Sequence, residues 1–129
     1  MQKIEIKVKD APKPVARYSQ GIVVNNTLYI QGVIALDPGS GKLVDKGIEN
    51  QTKRAFDSIR AIVEGAGMRM ADVVKVTVFL SDLADYQKFN EVYNSYFPYD
   101  PPPVRTTVQA KMPFGALIEA EAIAYSLKF

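Results

Sequence analysis

The sequence predicts an α+β fold: one mixed β-sheet with two helices packed on a single face. Three observations carry that expectation. Six segments are β-rich or alternate polar with apolar residues, and two others switch to helical period. The strand segments 72–80 and 104–112 are joined through a helix, the connection a parallel pair requires. The length, 129 residues, fits one domain spanning 1–129 whose helices and sheet share one core.

Residues 3–8 (KIEIKV) alternate as a half-buried strand does. A loop with Pro12 and Pro14 follows, to about Ser19. Residues 20–24 and 27–34 are β-rich and separated by Asn25-Asn26, a two-residue hairpin turn. Asp37-Pro38-Gly39-Ser40-Gly41 is a loop.

Residues 48–66 form the first helix. Ile48, Thr52, Ala55, Ile59, Ile62, Val63 and Ala66 make one stripe, and Glu49, Lys53, Asp57, Arg60 and Glu64 a charged one. Gly65 and Gly67 mark its end. Residues 72–80 (DVVKVTVFL) have the β-branched content of a central strand. Asp82 is placed to cap the second helix, with Asp85 in its first turn. Tyr86, Phe89, Tyr93, Tyr96 and Phe97 give that helix an apolar face.

The segment 98–103 (PYDPPP) cannot be helical. Strand 104–112 then puts Val104, Thr106, Val108 and Ala110 on one face and Arg105, Thr107, Gln109 and Lys111 on the other. Pro113-Phe114-Gly115 turns the chain into a last strand, 117–127. The sheet face away from the helices holds Val, Thr, Gln, Tyr and Leu more than charge. Such a face calls for burial by another subunit.

Composition narrows the chemistry. There is no Cys and no His. Disulfides, thiolate sites, imidazole ligands and a Ser-His-Asp triad are excluded. Sixteen basic against fourteen acidic residues leave a net charge of +2. The excess lies in the first twenty residues, as a solvated basic edge rather than a nucleic-acid footprint. No apolar run approaches a membrane span and the N-terminus has no apolar signal core. Cytoplasmic residence, with neither nucleic acid nor membrane as partner, is the expectation.

Arg105 follows Pro101-Pro102-Pro103 on a strand and reads two ways: a solvated edge arginine, or a guanidinium fixed to clamp a carboxylate. Glu119 and Glu121, two apart on the last strand, point to one face with Leu117, Ile123 and Tyr125. Either could hold a raised pKa and activate a water, or that face could meet solvent or a partner's basic groups. Asn90 lies on the second helix between Phe89 and Tyr93 and needs partners if buried; read from the residues alone, its role is a structural hydrogen bond to a nearby loop. Tyr18, beside Ser19 and Gln20, is either a pocket wall or a packing aromatic. Gly39-Ser40-Gly41-Lys42 lacks phosphate-loop spacing.

Taken together, these pieces resemble the RidA/YjgF family of reactive-intermediate deaminases, from Ala11 to Ala124. The resemblance rests on Ala11-Pro12 leading to Tyr18-Ser19-Gln20-Gly21, Leu36-Asp37-Pro38 with Gly41-Lys42, and the helix opening 48–52 (IENQT). It continues through 72–80, Asn90-Glu91-Val92-Tyr93, 103–108 (PVRTTV) and 117–124 (LIEAEAIA). The order and spacing of these pieces are specific.

The resemblance implies a chorismate-mutase-like fold and a homotrimer whose three sheets close a central β-barrel, with sites in the clefts between subunits. It implies hydrolysis of 2-enamine and 2-imine acids, such as 2-aminoacrylate and 2-aminocrotonate, to 2-keto acids and ammonia, without cofactor or metal. By matching position, Arg105 would bind the substrate carboxylate, Glu119 would place the attacking water, Tyr18 would wall the pocket, and Asn90, Gln31 and Gly32 would contact substrate. Thr107 would stand where family members often have Cys. Two departures stand out: the family's Gly-Pro before the Tyr is Ala16-Arg17 here, and its Ser-Gly-Gln is Gln31-Gly32-Val33. The longer amide of Gln31 narrows the pocket or bonds the substrate. A non-enzymatic trimer that binds small carboxylates or a protein partner is the alternative, and RNA cleavage, which has family precedent, fits poorly with a +2 chain lacking His.

Overall fold

Sheet pairing starts at a hairpin. Strands β2 (Gly21–Val24) and β3 (Thr27–Ile34) meet across Asn25-Asn26, with Val24 opposite Thr27. Asn25 takes the left-handed φ of 54° that asparagine tolerates. The structure, a computed structural model, describes residues 2–45 and 47–127. Strand β1 (Lys3–Ile6) adds antiparallel to β2. It stops short of the expected Val8 because a side chain takes over the pairing. Gln20, 3% exposed, accepts from the Val8 N–H at 2.7 Å, and its Nε2 lies 3.0–3.2 Å from the carbonyls of Val8, Ala11 and Pro12. A buried amide within hydrogen-bond distance of four backbone groups, its two N–H shared among three carbonyls, fixes the loop leading to Tyr18.

Strand β6 (Ile118–Tyr125) runs between β3 and β4 (Val73–Leu80), antiparallel to both, and β5 (Val104–Gln109) is parallel to β4 at the edge. The sheet order is β1-β2-β3-β6-β4-β5. Strand β5 ends three residues before the expected 112. The Gln109 side chain bonds the Leu83 N–H at 2.9 Å, and its partner strand β4 stops at Leu80.

Both helices cover one face. On β6 that face is Ile118, Ala120, Ala122 and Ala124, all buried, and the three alanines let α1 (Gly47–Gly65) approach closely. The whole expected stripe of α1 is buried, and Gln51, Phe56 and Ser58 join it. Phe56 meets the rings of Tyr93, Tyr96 and Phe97 at centroid distances of 5.4–6.0 Å, the junction with α2 (Tyr86–Tyr96). The helix ends as expected: Gly67 (φ 78°) follows it, with Gly67 N–H bonded to Glu64 C=O and Met68 N–H to Val63 C=O, a Schellman closure.

Asp82 caps something other than the second helix proper. Its carboxylate accepts from Ala84 N–H at 2.9 Å, opening a single 3₁₀ turn, Leu83–Asp85, that precedes α2. Asp85, at φ −82° and ψ 0°, separates the two. Among the described residues no helix is long and apolar enough to cross a membrane.

The sheet face away from the helices is open. It carries Tyr29, Val104, Val108 and Tyr125, each at least 40% exposed, beside partly buried Thr77, Phe79 and Ile123. The semi-apolar outer face expected from the sequence is therefore present.

Candidate functional site

The candidate residues gather in two groups. The first is built on a bulge. Ile30 pairs with Ala122 and Val33 with Ala120, so β3 fits one extra residue between these rungs. The bulge presents Gln31 and Gly32 beside Glu119, which pairs with Ile34. A Cβ on Gly32 would lie on the Glu119 carboxylate oxygen. Only glycine leaves that oxygen its place.

Glu119, Gln31 and Gly32 line a cavity of about 480 Å³ together with Tyr18, Ser19 and Lys13. Its apolar walls come from Val15, Ile34, Leu36, Pro113 and Phe114. Burial, reinforced by the charge of Glu121, pushes the Glu119 pKa above the ordinary glutamate value. The two glutamates share a face, as their spacing requires, but Glu119 lines the cavity and Glu121 is exposed. Such a carboxylate can orient a water and exchange a proton with it.

The second group sits on the other side of the sheet. Arg105 aligns with fully buried Val76 and Thr107 with fully buried Val78, so both face α2. The guanidinium carbon lies 4.6 Å from the Tyr93 ring centroid, 5.1 Å from Phe89 and 5.6 Å from Tyr86. Nη2 donates to the Tyr86 hydroxyl at 2.8 Å. Among the described residues no carboxylate pairs with it. An oriented, partly buried cation without a counter-ion is a ready seat for an anion.

Thr107, two residues on, has a buried Oγ1 with no hydrogen-bond partner among the described residues. Asn90 is half-buried on α2, next to Phe89, and likewise has no hydrogen-bonding partner there. Three polar groups with free bonding capacity thus lie on the helix-covered side of the β5 edge. The reading of Arg105 as a plain solvated edge residue does not describe this nest. The sequence signalled Phe89 and Tyr93 only as an apolar stripe. Lys13, Val15 and Phe114 lay in segments read as loop and turn, and their convergence on Glu119 is set by the β3–β6 register.

Comparison with known proteins places this geometry among relatives. Residues 8–126 match the family model described as Endoribonuclease L-PSP. The chain is 48% identical to a RutC family protein of Pyrococcus abyssi, across 97% of this chain and 98% of that one. It is 39% identical to human 2-iminobutanoate/2-iminopropanoate deaminase, across 92% of this chain and 87% of the relative. Among solved structures, RidA from an Antarctic Psychrobacter superposes with a TM-score of 0.91 at 38% identity, covering 95% and 99% of the two chains. TdcF from E. coli with bound serine gives 0.90 at 31% identity, covering 95% and 98%.

Proposed function

This chain belongs to the Endoribonuclease L-PSP family, the family of the RidA and YjgF proteins, and from that premise we propose that it is a deaminase of reactive 2-enamine and 2-imine acids. Its products are 2-keto acids and ammonia, and it works as a homotrimer with sites shared between subunits. The observation that carries the reading is Arg105: a guanidinium nested on three rings, with no acid paired to it among the described residues, on the edge strand of the sheet.

The chemistry asks little of the protein. An enamine tautomerises to an imine, and the protonated imine is electrophilic enough for water to attack without a strong base. Water adds to the C=N carbon, the C–N bond breaks, and ammonia leaves. The site must anchor a carboxylate and orient a water. Arg105 supplies the anchor, a charge-assisted pair contributing about 1.5–3 kcal/mol. Glu119, held at a raised pKa, places the water and moves its proton. Tyr18 walls the pocket, Gln31 and Gly32 shape it, and Thr107 and Asn90 bond the substrate beside Arg105. No cofactor enters this scheme.

Arg105 and Glu119 act on one substrate only if they come from two copies of the chain. What supports this is their placement on opposite sheet faces, with β4 between their strands. The open semi-apolar face is the surface for the contact. Three sheets closing on it make the central barrel of a chorismate-mutase-like trimer.

The test couples the purified protein to a serine or threonine dehydratase and follows keto-acid release. Wild type accelerates it and Arg105→Ala does not. Equal rates for the two contradict the proposal. Binding of 2-ketobutyrate without any turnover would instead support the non-enzymatic carboxylate-binding reading.

A further inference from the structure

Resting on the reading of Arg105 as the carboxylate anchor, we propose that Tyr86 is a positioning residue. Its hydroxyl braces the guanidinium before substrate arrives and reserves one edge of it for the carboxylate. Arg105 Nη2 donates to the Tyr86 hydroxyl at 2.8 Å. A guanidinium presents its N–H groups in one plane, as two forks that each fit a carboxylate. Both forks draw on Nη2, each through a different hydrogen. The hydroxyl takes one of these hydrogens, so one fork is closed and the other stays whole.

The position of Tyr86 is itself tied to the strand that carries Arg105. Gln109, the last residue of β5, accepts from the Leu83 N–H at 2.9 Å. Leu83 opens the 3₁₀ turn that leads into Tyr86, and Asp82 caps that turn. The bonds Gln109–Leu83 and Arg105–Tyr86 thus join β5 to the start of α2 at both ends of one stretch of strand.

Core packing does not account for the hydroxyl. Tyr86 is 42% exposed, whereas Phe89 and Tyr93, whose rings lie nearer the guanidinium carbon, are buried. Those two rings supply the platform, and a phenylalanine at position 86 would supply the third ring equally well. What the tyrosine adds is one oxygen, and that oxygen meets the cation. An unbraced arginine on an edge strand loses the freedom of a long side chain each time it grips a ligand. The bond to Tyr86 moves part of that ordering to the folding step. The carboxylate takes no part in bond making, so the gain is the same before and in the transition state. It shows in KM and not in kcat.

Tyr86→Phe keeps the ring and removes the oxygen. With imine supplied at graded rates by a threonine dehydratase, KM is expected to rise about three- to tenfold, the cost of ordering one long side chain. The kcat should stay within about twofold of wild type. The Kd of 2-ketobutyrate, read by titration calorimetry, should rise by the same factor as KM. In an Arg105→Ala background the same change should alter kcat/KM by less than about twofold, because the hydroxyl acts through the guanidinium. A residue that only packs lowers kcat and thermal stability, leaves KM alone, and costs as much with Arg105 absent as present. That pattern, or an unchanged KM and Kd in Tyr86→Phe, overturns the inference while the deaminase reading stands. If wild type gives no acceleration, the deaminase reading falls and the calorimetric ratio decides the inference. A weaker Kd in Tyr86→Phe then still supports the brace, and equal Kd values, or no binding by either protein, overturn it.

Discussion

Arg105 and Glu119 face opposite sides of one sheet. Arg105 is level with Val76, which points to the helices, and Glu119 with Phe79, three residues further along β4 and on its other face. In a single chain the Arg105 guanidinium and the Glu119 carboxylate therefore belong to two separate surfaces.

Removing the anchor should weaken the transition state without disturbing the fold. Arg105→Ala is expected to lower kcat/KM by about 10- to 150-fold, the equivalent of losing a charge-assisted hydrogen-bond pair. Arg105→Lys should recover little, because an ammonium cannot make the planar two-point contact. Steady-state kinetics with thermal melts of the same preparations checks both points.

Gly32→Ala tests the bulge. The added methyl group would collide with the Glu119 carboxylate, so that side chain must swing away. Activity should fall at least tenfold, with the melting temperature shifted by only a few degrees, as measured by kinetics and calorimetry side by side.

Glu119 carries a pH signature. Its pKa in the folded protein is raised by burial and by Glu121, so ionising it opposes folding. Its contribution to stability is full below the unfolded-state pKa and is lost as pH rises through the folded-state value. Glu119→Gln should therefore be more stable than wild type at pH 7–8, and the difference should vanish below about pH 4. Urea titrations across that range read it directly. A variant less stable than wild type at neutral pH would contradict the electrostatic account.

Asp57 gives the opposite sign. Burial opposes its ionisation, but hydrogen bonds from the Lys53 ammonium at 2.8 Å and the Tyr96 hydroxyl at 2.6 Å outweigh that and hold its pKa below the ordinary aspartate value. The stability it confers is present above the unfolded-state pKa and is lost as pH falls through the folded one. Tyr96→Phe should cost about 1–2 kcal/mol at neutral pH, with the deficit shrinking in acid, as denaturant unfolding would show.

Much of this fold can be read from local pattern. The Asn25-Asn26 hairpin, the α1 stripe and the crossover to β5 all follow from periodicities a few residues long. Phe56 illustrates the limit. It lies between the stripe positions Ala55 and Ile59 but is completed by the rings of Tyr93 and Tyr96 from α2, which no pattern within α1 announces. The site shows the same division. Alternation along β5 set Arg105 apart from Val104 and Thr106, but which face meets α2 depends on pairing with β4. Family likeness pointed to Arg105, Glu119, Gly32 and Tyr18. The aromatic nest of Tyr86 and Tyr93, and the place of Phe114 at the cavity, come from long-range register and one left-handed turn.

The central claim, one site from two chains, is tested most directly by mixing. Arg105→Ala and Glu119→Ala proteins are each expected to be nearly inactive. Unfolded together in equal amounts and refolded, they should regain about a quarter of wild-type activity, because in a closed ring about one interface in four joins an intact Arg105 to an intact Glu119. A mixture no more active than either variant alone, with mixed oligomers confirmed by mass spectrometry, would contradict the account.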